Sequence, residues 1–389
     1  MMLRSLFQAY FTDHSIGFIA HSLVRGMNGP GLEGELWVCT HERGFSSPVV
    51  RPAIPTLPGN LLFKTDWGVK LGMAWTRRRY IQALQEGDLA YLWPNVPLSV
   101  FIEAKKKGAW IATDGINCHQ AYSRAILKKE FSRLGLQPSK IITDEDILEE
   151  RRKLELTDIL FAPSPLVAES FEKEGFPAER ILRTSYGWDP ARLEGEGRAL
   201  PPGDGLDVLF TGRIGVRKGA HLLFRIWEEA GIKGRLLLAG RFFDGIEKEF
   251  ASFLDRPDVV VLGFIRDIGT VFRSAQVMAF PSLEEGSPLV TYEAMSQGLA
   301  MLVSPMGSGG VVRHEKEGLV LDPHDHEAWV RALRRLAEDR PWREAMGRAA
   351  KERAKEFTWE KVARRRREAV LQAMGRLEKK KVQDPGRRS

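Results

Sequence analysis

Glu285 and Glu293 stand eight positions apart in PSLEEGSPLVTYEAMSQGLA, residues 281–300, and the small turn Gly286-Ser287-Pro288 follows the first of them. The apolar run AQVMAFPS leads in, and LVTYEAMSQG, apolar on one face, leads out. That pattern predicts a strand, a tight loop and a helix N-terminus. Free N–H groups and the helix dipole at such an end attract an anion. Carboxylates accept hydrogen bonds from sugar hydroxyls. Together they suit a ligand with phosphate and many hydroxyls, such as a nucleotide sugar. The bland alternative is one capping and one solvated glutamate on an ordinary helix.

A second candidate loop follows LDVLFTG. In RIGVRKGAHLL, Arg213 and Lys218 are five apart among Gly212, Gly215 and Gly219. Glycines let the backbone approach a ligand, and an Arg with a Lys can neutralise a diphosphate. The loop matches neither GxxxxGK[ST] nor GxGxxG. His119 follows the strand-like AWIATDG and the loop Ile116-Asn117-Cys118, with Asp114 at the same strand end. A lone His is more often a structural hydrogen-bonder, and its place after a strand end is what makes His119 a functional candidate. Ser164-Pro165 reads as an N-cap with Pro at the first helical position.

These loops need strands to hold them. GELWVCT, DLAYLWP, AWIATDG and DILFAPS read as strands, with helical stretches such as PLSVFIEAKKKG and QAYSRAILKKEFSRLG between them. A Gly-, Pro- and charge-rich break, residues 188–205, precedes a second alternation through LDVLFTG, GRLLLAG, DVVVLGF, AQVMAFPS and LAMLVSP. From Asp325 to about Arg376 the pattern is helical. The expected fold class is α/β, with two Rossmann-like, doubly wound parallel-sheet domains facing across a cleft. The expected divisions are a first domain over 1–190, a linker over 191–205 and a second domain over 206–355. A C-terminal helix over 356–376 and a basic tail over 377–389 complete them.

The 389 residues carry a net charge of +7. Residues 351–389 hold 14 Lys and Arg against 6 Asp and Glu, whereas the preceding 350 carry 44 against 45. The basic excess is therefore local, and no nucleic-acid-binding motif accompanies it. The tail could touch an anionic membrane, or simply be a solvated helix with a frayed end. WTRRRY, Trp75 to Tyr80, reads as a helix with a basic face, and Trp67 and Trp75 beside it offer a membrane or lipid-acceptor surface. Cys39 and Cys118 are the only cysteines, and no metal-type clustering is present, so neither a disulfide framework nor a metal site is expected. The N-terminus lacks a small-residue cleavage pattern, and no apolar run is long enough to span a membrane. The expected location is the cytoplasm, with peripheral contact at the inner membrane face the extension that the tail invites.

In this order and after strands, the two loops resemble the retaining glycosyltransferases of family 4, the group 1 glycosyl transferases of GT-B fold. The resemblance is good from about Leu206 to Arg364, through VLFTGRIGVRKGAHLL, VVVLGFIRD and VFRSAQVMAFPSLEEGSPLVTYEAMSQGLA. It is fainter from about Asp88 to Asp189 and poor over 1–85. The resemblance implies that Arg213 and Lys218, with Gly212 beside them, hold the donor diphosphate. It implies that Glu293 binds the nucleotide ribose and that Glu285 binds sugar hydroxyls near the reacting carbon. The Gly286-Ser287 turn and the N–H groups of Leu289 and Val290 would meet the donor, and Gly263 to Ile265 would form the wall beside the base. His119 would lie close to the donor sugar. The acceptor loop would be Thr12 to Gly17, with His14, Ser15 and Gly17.

Two departures from the family pattern stand out. Pro288 occupies a place often taken by Gly and cannot donate a backbone hydrogen bond. The acceptor loop has one glycine where the family usually has adjacent ones. The implied function is retaining transfer of a sugar from a nucleotide diphosphate donor to an acceptor hydroxyl, without metal or cofactor. UDP is the first expectation for the nucleotide and GDP the second. A nucleotide-sugar epimerase would need acid/base groups around the sugar that the sequence does not cluster. The alternative kept is a non-catalytic nucleotide-sugar or glycan-binding protein with a degenerate site.

Overall fold

A computed structural model describes residues 1–12, 15–56, 59 and 62–383. Two parallel sheets organise it. The first contains β1 (Met2–Phe11), β2 (Glu33–His41), β3 (Val50–Pro52), β4 (Leu89–Leu92), β5 (Trp110–Asp114), β6 (Ile159–Ala162) and β7 (Ile181–Arg183). Its strand order is β3-β2-β1-β4-β5-β6-β7. The second contains β8 (Leu206–Ile214), β9 (Gly234–Phe242), β10 (Val259–Gly263), β11 (Val277–Phe280), β12 (Ala300–Val303) and β13 (Gly318–Val320). Its order is β10-β9-β8-β11-β12-β13. Both orders reverse beside the first strand, at β1/β4 and β8/β11, and ligands of open α/β sheets bind at such switch points.

The physical reason is the apolar content of the central strands. LAYL, ILFA, VMAF and AMLV are buried at every position, so each needs helices on both faces. Helix starts are written locally. Thr143 and Asp146 form a reciprocal capping box before the helix Asp144–Leu156, and Ser164 caps Pro165–Lys173. The strands GELWVCT, DLAYLWP, AWIATDG and DILFAPS stand where the sequence places them, whereas the three-residue edge strands β3, β7 and β13 have no pattern of their own.

The chain crosses between sheets twice, and the crossings are tied together. Trp188 N–H donates to Phe357 O at 3.0 Å, and Trp359 N–H donates to Trp188 O at 3.2 Å. Gly187 is needed here, because a Cβ would lie 2.6 Å from Phe357 O. The final helix, Trp359–Gln383, then lies on the helix Ser15–Met27, with Trp359 edge-on to Phe18 and Gly26 against Ala363. This helix extends past residue 377, so the expected start of the tail falls inside it, and residues 384–389 lie outside the described residues. No helix of the described residues is long and apolar enough to cross a membrane.

Candidate functional site

The exit of β8 turns through Val216–Lys218 and enters the helix Ala220–Ala230. Gly219, at φ +70°, makes this turn possible, because a Cβ there would fall 2.0 Å from Pro281 O. The turn is thereby pressed against the exit of β11. The Lys218 ammonium meets the Glu285 carboxylate, and Ser282 Oγ donates to the same carboxylate oxygen at 3.0 Å. Burial pulls the Lys218 ammonium below its ordinary range, and the charge of Glu285 opposes that shift.

The neighbours of both residues do something the sequence reading missed. Arg217 pairs with Glu284 at 2.6 Å and donates to Asn117 Oδ1 at 2.7 Å. Glu284 accepts from Cys118 N–H at 3.3 Å and from Ser123 Oγ at 3.0 Å. Gly286 is closed against the same segment, since a Cβ would sit 2.0 Å from Ile116 O. The doublets Arg217-Lys218 and Glu284-Glu285 thus divide their labour. One member of each faces the first domain, and the other stays in the loop. Doublets of like charge in two candidate loops were the available signal.

Arg213 is exposed and stacks on Phe243 at 3.6 Å. Arg213, Lys218 and Glu284 line one side of a cavity of about 710 Å³. Gln8, Arg77, Asn95 and Ile116 of the first domain also line it. Gln8 Nε2 donates to Asn95 O at 2.8 Å, and Arg77 makes a long 3.4 Å hydrogen bond to Gln8 Oε1. The structure therefore brings Arg213, Lys218 and Glu285 together.

The helix Leu289–Ser296 opens at Pro288 with no side-chain cap, so the first amides, Leu289 and Val290, keep their N–H groups unclaimed by a capping residue. Pro288 suits this position, which needs no donor. Ser287 Oγ and Tyr292 Oη lie 2.5 Å apart and fix the turn. Glu293 is half-buried, and burial pushes its carboxyl up to about 7, with Arg192 opposing. Gly263 has φ +64° and precedes Phe264, which is 70 % exposed beneath the Arg241 guanidinium. Glu293, Gly263 and Ile265 are not part of the cavity lining.

Other expected residues lie elsewhere. His119 is fully buried and caps its own helix, Gln120–Leu134, with Nδ1 accepting from Ala121 N–H at 3.2 Å. Its Nε2 lies 3.3 Å from Glu150, its ring is edge-on to Phe171, and burial lowers its pKa to about 4. His119 is not part of the cavity lining. The Thr12–Gly17 loop is shorter than expected, because the helix starts at Ser15, and Gly17 packs in its first turn against Thr12 O. Asp13 and His14 lie outside the described residues. Asp114 is buried against Arg366, Tyr91 and Tyr186. Among the described residues no group of three or more His, Cys, Asp or Glu side chains converges.

Residues 205–339 match the family model described as glycosyl transferases group 1. The D-inositol 3-phosphate glycosyltransferase of Saccharomonospora viridis is 29 % identical over 285 residues, 65 % of this chain and 64 % of that protein. The matches to two further proteins of that name cover 57 % and 54 % of them, so the chain spans about three fifths of these relatives' length. The sulfoquinovosyl transferase SQD2 of Arabidopsis thaliana is 32 % identical over 184 residues, 45 % of this chain and 35 % of that protein. Among solved structures, Anabaena Alr3699/HepE in complex with UDP and glucose superposes with a TM-score of 0.67 at 16 % identity, over 96 % of this chain and 100 % of that one. The glycosyltransferase WaaG gives 0.63 at 15 %, over 95 % and 99 %. At such identity these structures speak for the fold, GT-B.

Proposed function

We propose that this chain, which belongs to the group 1 glycosyl transferases through the domain that begins near residue 205, moves a sugar from a nucleotide diphosphate donor to an acceptor hydroxyl with retention at the anomeric carbon. The observation that carries the reading is the placement of Arg213 and Lys218 on one cavity wall, with Glu285 held on Lys218. Two cations there stabilise the charge that develops on the leaving diphosphate, in the role a metal ion plays elsewhere. The amides of Leu289 and Val290 add donors at a helix N-terminus. Glu285 accepts sugar hydroxyls as the diphosphate takes over the Lys218 ammonium. Glu293 accepts the ribose hydroxyls, and Gly263 to Ile265 face the base.

The carboxylates near the site favour a front-face attack assisted by the leaving phosphate. Glu284 is engaged by Arg217, Cys118 and Ser123, and Glu285 by Lys218 and Ser282. Glu284 is therefore not free to attack carbon, and Glu285, once the diphosphate takes Lys218, is committed to the sugar hydroxyls. On the acceptor side, Arg77 is a cation facing the cavity, with Gln8 as its only hydrogen-bond partner among the described residues. It suits an acceptor with an anionic group, as in the inositol phosphate named for several relatives. We place the protein in the cytoplasm, peripheral to an anionic membrane face.

Calorimetric titration with UDP, GDP and ADP, with and without Mg²⁺, tests this reading. One nucleotide binds selectively without metal and UDP is the first expectation. Arg77→Ala leaves that binding intact while raising the KM of the acceptor. Binding of none of the three would sink the donor site and favour the degenerate, non-catalytic alternative.

Glu293 makes the donor site pH-dependent. Its carboxyl, raised to about 7, is mostly neutral at pH 6 and mostly ionised at pH 8. The ionised form accepts the stronger hydrogen bonds from ribose. Donor affinity therefore rises about tenfold between pH 6 and pH 8, following the competent fraction. Folding responds with the opposite sign. The folded protein holds this proton more tightly than the unfolded chain, so stability is lost as pH rises through about 7. In Glu293→Gln both trends flatten. A wild-type donor affinity independent of pH over that range would remove Glu293 from the site.

A further inference from the structure

The helix Asp66–Ala83 has two unlike faces. Gly68, Gly72, Thr76 and Tyr80, spaced by four, are buried. Tyr80 Oη donates to Arg4 O at 2.8 Å, and Gly72 sits against the Phe63 ring. The small residues let the helix lie close to the sheet, which fixes the direction of the rest. Trp67, Leu71 and Trp75, also spaced by four, point outward and are 69 %, 43 % and 48 % exposed. Residues at i, i+4 and i+8 stand one above the other on a helix. The other large apolar residues with comparable exposure are scattered over several elements. Lys64, Lys70, Arg78 and Arg79 are exposed around this stripe, and Asp66 is the one acidic residue between positions 62 and 85.

Two exposed indoles and a leucine within three turns, ringed by cations, match the chemistry of a lipid–water boundary. Indole rings settle at headgroup depth, and each Lys or Arg near an anionic leaflet adds attraction. A protein partner would have to supply acid around an apolar groove, whereas an anionic bilayer presents both features everywhere. We propose that the outer face of Asp66–Ala83 docks the protein on an anionic membrane surface. On the same helix Arg77 turns inward and lines the cavity. The docked face therefore sets the cavity mouth beside the headgroups. The docking itself does not depend on the transferase reading, and it places the membrane contact on the first domain rather than on the basic tail.

Vesicle co-sedimentation of the full chain tests it, with phosphatidylcholine alone and with phosphatidylcholine mixed with phosphatidylglycerol. The wild type is expected on the mixed vesicles and not on phosphatidylcholine alone. Trp67→Ser/Trp75→Ser is expected to weaken that binding at least about tenfold, with melting temperature and nucleotide binding unchanged. Arg78→Glu/Arg79→Glu should weaken it as well, while Lys379→Ala/Lys380→Ala/Lys381→Ala should leave most of it. Three results would overturn the proposal. In the first, the wild type binds neither vesicle. The tail variant could lose the binding that the tryptophan variant keeps. Sedimentation velocity could show a dimer that the tryptophan variant dissolves, which would give the face to a second copy of the chain. Nucleotide calorimetry on the same samples keeps failure of docking distinct from failure of the donor site.

Discussion

Lys218→Ala is expected to lower kcat/KM for sugar transfer by about 10²–10³-fold, the usual cost of removing one preorganised donor from a site of developing negative charge. Burial makes the effect large. The Lys218 ammonium is held between Glu285 and the cavity, with Gly219 pressed on Pro281 behind it, so its position is fixed before a ligand arrives. Arg213, exposed on Phe243, already contributes its own charge and does not replace that of Lys218. Most of the loss should fall on kcat, because charge on the diphosphate grows as the glycosidic bond breaks. Removing Lys218 also strands the buried Glu285 carboxylate with Ser282 alone, which lowers stability. Lys218→Met/Glu285→Gln removes that stranded charge. It should recover the melting temperature without recovering activity. Steady-state kinetics and thermal melts on both variants separate the two effects. A kcat within about threefold of wild type for Lys218→Ala would exclude the ammonium from transition-state stabilisation.

The readable parts of this chain are those whose cause is local. AQVMAFPS and LAMLVSP announce strands, because a strand buried on both faces must be continuously apolar. Ser164-Pro165 announces a helix start, because the cap and the fixed φ act within three residues. Glu285 could be marked as important from its loop, yet its bond to Lys218 spans 67 residues and needs the β8/β11 switch point to exist. His119 shows the opposite limit. Its position beside the cleft was legible, but the direction of its ring is set by Glu150 and Phe171, which come from other helices. Ser15 and Gly17 carry no sequence mark of a helix start, because the turn before them has little apolar periodicity. Asp114 is marked in the sequence only by its place at a strand end. Its partner, Arg366, is 252 residues away inside a run of four arginines, and nothing in that run marks which one turns inward.

That pair carries the second large effect, and Arg366→Ala is expected to destabilise the protein by about 3–5 kcal/mol. Arg366 and Asp114 are both shielded from solvent, and Arg366 Nη1 meets Asp114 Oδ2 at 2.6 Å. The remaining guanidinium donors reach Thr184 Oγ1 at 2.9 Å and Ser185 O at 3.1 Å. Asp114 is completed by the Tyr91 and Tyr186 hydroxyls. Every charge is answered, so deleting one partner exposes the full desolvation cost of the other. The pair also has a mechanical position. Arg366 lies on the helix that returns from the second domain, and Asp114 ends β5 immediately before the Ile116–Cys118 segment that meets Gly286 and Glu284. Losing it should loosen that segment, so activity should fall before the protein melts. A melting curve for Arg366→Ala shifted down by about 5–10 °C is the expected result. Arg366→Met/Asp114→Asn keeps an acceptor for the tyrosines without a buried charge and should recover most of that shift. An unshifted melt for Arg366→Ala would mean that water reaches Asp114, and that the two crossings near Trp188 hold the domains together without it.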